Sequence, residues 1–467
     1  MRFDPIWADV RFGYGRSPRV EPPASVAAML AQLEGPDRML AAWPMLDSAT
    51  VEATETKLTQ AYKIFRDTRR TGDEAAIEAR RDVIQSLRRE ARSRQERFAI
   101  NTLARGTYAP DAFRERLCAF WADHFTTAET RQSLLYSNQA IVTDAVRPNL
   151  TGRFGDMLQA AITHPLMLTY LDQLTSVGEN SVFGQRKSSR GLNENLAREV
   201  MELHTLGVGG PYSQEDVRQL AELLTGLWYH PKKGYYFESR AAEPGPETVL
   251  GQAYGGRRTG PDAGFGAIAR VLQDLALHPA TARHLATKLA THFVSETPDA
   301  DLVEAMSAAY LASQGGLMDT YRAMLEHPAA WEQTAQNVKW PSDYLISALR
   351  ALSPQEEALR RLSHADIRRL FLRPLVVMGQ PWERPIGPDG WAEEDSTWIT
   401  AQGMAARINW ALRAPSRILD PLPDPRDFVQ VALGDLAPPE VVFAAAAAET
   451  AADGVAVVLA SPAFQRR

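Results

Sequence analysis

Cysteine is almost absent: Cys118 is the only one in the chain. No internal disulfide can form, and no thiolate cluster can hold a metal. Long apolar runs are missing too, with nothing near the ~18 consecutive residues that would mark a membrane-crossing helix. Lysine is scarce, 7 residues against 44 arginines, and the arginines are scattered, which fits base composition better than a phosphate-binding surface. Basic residues do not prevail: 51 stand against 57 acidic ones, a net charge of −6. With no basic stripe interleaved with aromatics, no nucleic-acid partner is expected. The start, Met1-Arg-Phe-Asp-Pro-Ile-Trp, lacks the apolar core of a secretory signal. The cytoplasm is therefore the expected compartment, with periplasmic export as the alternative. P-loop, His-Glu-x-x-His, Gly-x-Ser-x-Gly and dinucleotide fingerprints are missing as well.

What is present is ordinary globular material, 45% hydrophobic and 23% charged, dominated by helical periodicity. Ser25 can cap a helix carrying Val26, Met29, Leu30 and Leu33. Residues 51–70 and 73–105 read as two long helices around Thr71-Gly72-Asp73, a hairpin whose intermixed charges suggest a solvated face. Further helices are expected over 112–126, 134–148, 154–173, 191–206, 214–228, 264–276, 280–295, 300–313, 317–326 and 341–352. Four His-Pro pairs begin at 164, 230, 278 and 327. Three precede helical patterns, because proline at the first helical position has no N–H to leave orphaned. Residues 229–260 are rich in glycine and proline and read as an irregular loop with a β-hairpin. Residues 380–398 hold Trp382, Trp391 and Trp398 and read as an ordered lid or pocket wall. The expected fold is all-α: one large multi-helical domain over 1–467, with long irregular loops and at most a small β-hairpin.

The densest polar stretch runs from Gly191 to Val208. At ~100° per residue, Leu192, Leu196, Val200 and Leu203 form one apolar stripe. Asn195, Glu199 and Glu202 share one flank and His204 takes the other. Glu199 lies at the edge of the stripe, where a carboxylate needs a partner; a structural ion pair or a functional site would each supply one. Gly207 stops this helix, and Ser213 with Asp216 makes a capping-box variant that starts the next, burying Val217, Leu220, Leu224 and Trp228. Upstream, Leu117, Phe120, Trp121 and His124 follow helical spacing, so His124 lies on an apolar face. It is either a satisfied core histidine or a ligand or acid–base group opposite Glu199. Arg198 and Glu194 read as a surface pair, Cys118 as inert core, and His284, Lys288 and His292 as a packing or surface face.

Asn193-Glu-Asn-Leu-Ala-Arg-Glu-Val-Met-Glu-Leu-His-Thr-Leu-Gly-Val, Tyr212-Ser-Gln-Glu-Asp-Val and Leu224-Thr-Gly-Leu-Trp resemble the bacterial family called domain of unknown function 1800. The likeness extends to Arg11-Phe-Gly-Tyr-Gly, Phe120-Trp-Ala-Asp-His-Phe, His164-Pro-Leu-Met-Leu-Thr-Tyr-Leu-Asp, His278-Pro-Ala-Thr-Ala-Arg and Gly390-Trp, nearly the whole chain. Around 50–100 the hairpin looks expanded against the usual pattern. The resemblance implies a mainly helical fold and no established reaction. It also implies a sulfatase-like companion, of the domain of unknown function 1501 family, as a partner, and it adds weight to Asn195, Glu199, Glu202, His204 and His124 as a site.

Two functions follow as expectations. One is an enzyme with a buried polar site of His124, Asn195, Glu199, Glu202 and His204. It would work either with a divalent transition metal on His124, Glu199, Glu202 and His204 or by metal-free general acid–base chemistry. The other is a non-catalytic partner or maturation protein, in which the polar helix is a structural keystone.

Overall fold

Local start signals place most helices in the computed structural model, which describes residues 3–127, 139–186, 191–230, 234–256, 263–333 and 337–467. The Ser25 hydroxyl accepts from the Ala28 N–H and opens α1 (Val26–Glu34). Asp47 and Asp73 cap α2 (Ser48–Arg69) and α3 (Glu74–Tyr108) in the same way, and the two pack as the expected hairpin. The His-Pro pairs explain themselves: the imidazoles of His164, His278 and His327 each accept, through Nδ1, the N–H two residues on, at 3.2, 3.1 and 3.3 Å. A side-chain acceptor at that position satisfies a donor the first helical turn leaves orphaned. The fourth pair ends at Pro231, outside the described residues, as do 134–138 of the helix expected over 134–148; that helix is seen from Gln139 onward.

The remaining long elements are α4 (Ala112–His124), α5 (Phe154–Ile162), α6 (Asn195–Glu199), α7 (Gln214–Leu224), α8 (Phe265–Ala276), α9 (Pro279–Phe293), α10 (Ala300–Ala312), α11 (Leu317–Glu326), α12 (Pro341–Leu352), α13 (Ala401–Arg413), α14 (Pro425–Leu433), α15 (Pro439–Ala446) and α16 (Ala451–Ala460). The expected capping box of Ser213 and Asp216 is present in full at the start of α7. The irregular stretch forms two antiparallel hairpins, β1 (Leu227–His230) with β2 (Gly234–Phe237), and β3 (Pro246–Val249) with β4 (Gln252–Gly255). Trp228, expected on a helix, belongs to β1, because α7 stops at Leu224. The structure is 65% helical, so the all-α class holds with two small hairpins attached. Among the described residues no helix is long and apolar enough to cross a membrane.

The apolar interior comes in two main clusters. One gathers residues from Trp7 to Trp331, including the faces of α4, α5 and α7 to α11. The other gathers Tyr14, Trp43 and Leu103 with α12 to α16. Arg116 of α4 stands at their seam, its guanidinium 5.3 Å from the Tyr14 ring and 5.5 Å from the Phe293 ring. Asp343 of α12 binds both Arg116 and Arg467 there, and all three side chains are buried. Burial opposes the Asp343 charge, but the two guanidiniums outweigh it and hold the carboxyl below its usual range.

Removing one member of a buried ionic group leaves the others uncompensated. Asp343→Asn is expected to cost roughly 3–5 kcal/mol of unfolding free energy, read as a lower urea midpoint at unchanged slope; an unchanged midpoint would show that the seam does not depend on this carboxylate.

Candidate functional site

α6 does not end as an ordinary helix. Residues Val200–His204 continue it as a π-turn, in which hydrogen bonds span five residues and each turn holds more of them. The apolar stripe therefore drifts: Leu196, Ala197, Val200, Met201 and His204 are buried, and Leu203, placed in the stripe by regular spacing, is only partly so. The drift turns His204 inward against α4. Its ring centroid lies 5.7 Å from that of His124, and His124 Nε2 is 3.3 Å from the His204 carbonyl oxygen. His284 of α9 completes a trio, 6.5 Å from His124 by centroid, its Nε2 at 3.1 Å from the Leu203 carbonyl. Aromatic rings of Trp121, Phe125 and Phe154 surround His124.

These imidazoles are neutral. Burial pushes His204 down to about 3, His284 to about 4 and His124 well below its ordinary value, and the nearby Lys288 ammonium adds to each fall. Among the described residues His124 Nδ1 and both ring nitrogens of His204 have no hydrogen-bond partner.

Lys288 is one helical turn beyond His284 on α9. Burial pushes its ammonium down, while Asp123, Glu393 and Asp389 pull it back up. The carboxyls answer in the opposite sense. Burial lifts Asp123 to about 8 against the pull of Lys288 and the Trp391 N–H, and lifts Glu393 to about 7 against Arg467 and Lys288. The segment expected to be an ordered wall supplies these contacts: Trp391 N–H donates to Asp123 Oδ1 at 2.9 Å. Gly390 allows the approach. Its φ is +84°, and a Cβ there would lie 2.5 Å from Asp123 Oδ2.

One turn further along α9, His292 bonds Glu393 Oε1 through Nδ1 at 2.7 Å and meets Arg116 at Nε2, 3.0 Å away. A guanidinium can only donate, so Nε2 accepts and Nδ1 carries the proton it gives to Glu393. The face of His284, Lys288 and His292, read from sequence as packing or surface, is thus the polar spine of the site. Its i, i+4, i+8 spacing was the available signal. Asp123, Glu393, Asp389 and Trp391 had none, since their partners are far away in the chain.

Of the five sequence candidates, His124 and His204 meet. Glu199 and Glu202 are partly buried neighbours; burial, then Glu202 and Asp389, raises Glu199 to about 7. Glu202 bonds Arg198 at 3.2 Å, and Arg198 also holds Glu194 at 3.0 Å, the expected surface pair. Asn195 is exposed. No hydrogen bond or ion pair joins Glu199 to His124 among the described residues, and there no three His, Cys, Asp or Glu side chains come together as a set able to hold a metal. A cavity of about 180 Å3 opens between α4, the start of α12 and residues 380–391; Asp123, Cys118, Trp340, Trp382 and Trp391 help line it.

Stability derived from a protonated Asp123 is full below its unfolded value of 3.8 and is lost as pH rises through about 8. Wild type should therefore lose melting temperature relative to Asp123→Asn as pH rises from the carboxylate range toward 8, and the two should converge in acid. Calorimetric melts across that range check this, and parallel curves would contradict it.

Comparison with known proteins adds the lineage. No match was found among curated proteins or solved structures. The family model described as Protein of unknown function (DUF1800) matches residues 9–466, and the chain belongs to that family.

Proposed function

We propose that the protein is an enzyme performing general acid–base chemistry on a small molecule, with Asp123 as the group that exchanges a proton with it. The observation that carries this reading is the placement of Asp123: it lines a cavity, holds the Trp391 N–H, and stands within electrostatic reach of Lys288 and Glu393. A carboxyl raised to about 8 keeps its proton at neutral pH and can donate it. Groups with shifted affinities beside a cavity are the usual marks of a reactive site.

In this reading Lys288 and Glu393 set the charge around Asp123. The neutral imidazoles of His124 and His204 give a non-ionised lining behind Lys288. Glu199, whose carboxyl Asp389 helps to raise, shares that charged neighbour with Lys288. The metal-assisted version, with His124, Glu199, Glu202 and His204 as ligands, has weaker support, because those four side chains do not converge; elemental analysis of purified protein separates the versions, a stoichiometric metal favouring the second.

The partner reading also has an observation in its favour: His124 packs among aromatic rings as a core histidine would. It predicts stable co-purification with a sulfatase-like protein from the native host.

The decisive experiment incubates wild type, Asp123→Asn and Lys288→Met with a host metabolite extract and follows mass features over time. A feature consumed by wild type should be consumed ~10²–10⁴-fold more slowly by folded Asp123→Asn. Equal turnover by that variant, or no turnover by wild type, overturns the proposal.

A further inference from the structure

A surface helix ordinarily turns its apolar stripe inward and its polar side to water. α13 does turn Gly403, Arg407, Trp410 and Ala411 inward. On its other side, however, Ala401, Ala405, Ile408 and Leu412 are all exposed, the last two at 44% and 42%. Steps of four, three and four residues place these four within about 60° of one another at ~100° per residue. That is the spacing of a coiled-coil seam, here open to solvent. The apolar face is wider than one helix. The short helix Arg373–Val377 packs beside α13 with Val376 and Val377 exposed, and Ile399, just ahead of α13, is exposed too. Of the twelve exposed large hydrophobic side chains among the described residues, six fall between Val376 and Leu412. Such a concentration marks an interaction surface, whereas scattered single exposures do not.

The order of sizes along the stripe specifies what covers it. Its small side chains, Ala401 and Ala405, occupy the N-terminal half, and its large ones, Ile408 and Leu412, the C-terminal half. Two copies running the same way would set large against large and leave a gap between alanines. Reversed about a two-fold axis, they set Ile408 against Ala405 and Leu412 against Ala401, so that each surface fills the other. Charge agrees with the reversed arrangement. Between Asp395 and Asp420 the chain has no acidic residue. Exposed Glu394 precedes α13 and exposed Arg413 and Arg417 end and follow it, and none of these three side chains is paired among the described residues. Reversal brings the acidic end of each copy to the basic end of the other.

We propose that α13 pairs antiparallel with α13 of a second copy of this chain, forming a symmetric dimer through Ala401, Ala405, Ile408 and Leu412. Dimerisation through this face is independent of the chemistry at Asp123.

Sedimentation velocity of the full chain at micromolar concentration should give twice the chain mass. Ile408→Glu and Leu412→Glu should each weaken the dimer at least about tenfold, because pairing would bury an unpartnered carboxylate, while keeping the far-UV circular dichroism of the wild type. Val208→Glu, at an exposed valine outside the stripe, should stay dimeric. Cysteine cross-linking with diamide as oxidant reads the direction. Ala401→Cys mixed with Leu412→Cys should give a reducible dimer, and neither variant alone should, since the two copies of residue 401 stand roughly 16 Å apart along reversed helices. A monomeric wild type, including one that captures a different protein on this face, overturns the inference. So does a dimer indifferent to both glutamates, or Ala401→Cys linking to itself.

Discussion

A single buried carboxylate, Asp343, holds the molecule together at its least favourable place. Two apolar clusters meet where Arg116 and Arg467 converge, and two guanidiniums in an apolar seam would repel each other without an anion between them. Such a group is a poor source of net stability but a strict source of register, since charges taken out of water tolerate only one arrangement of partners. Arg116 passes that order outward. Having committed one arm to Asp343, it donates with the other to His292 Nε2, which fixes the imidazole tautomer and aims Nδ1–H at Glu393. The wall segment is thus oriented from the seam.

The second consequence is electrostatic. Burial at one place raises carboxyls and lowers ammonium and imidazoles, so groups whose ordinary values are far apart are driven toward neutrality together. Asp123, Glu393 and Lys288 show both directions within one cluster. The histidine trio behind them stays uncharged first because it is buried, with the nearby Lys288 adding to the effect.

Much of the helical framework was legible because its signals are local. Ser25, the Thr71-Gly72-Asp73 break, the Ser213–Asp216 box and three His-Pro pairs each act within a turn of their own helix, and the structure uses every one. The site was less legible for two physical reasons. A π-turn changes the number of residues per turn, so regular spacing put Leu203 inward where His204 belongs. And spacing cannot distinguish a solvated polar face from one turned to a buried seam: His284, Lys288 and His292 lie on one stripe either way. The contacts that decide, Arg116 with Asp343 and Asp123 with Trp391, join residues 227 and 268 positions apart, beyond any local pattern.

The tryptophan-rich wall illustrates how the two levels join. Its composition predicts order without saying against what, and its attachment is made by carboxylates: Asp123 accepts from Trp391 N–H, Glu393 from His292, and Asp395 from Val338 N–H at 2.6 Å. An ionised carboxylate accepts more strongly than a protonated one. Loss of the Asp123 proton therefore tightens the very bond that holds the wall, while the buried charge it leaves is carried by Lys288. Gly390, with no side chain to hold the backbone away from Asp123, is therefore as much a part of the site as the groups that titrate.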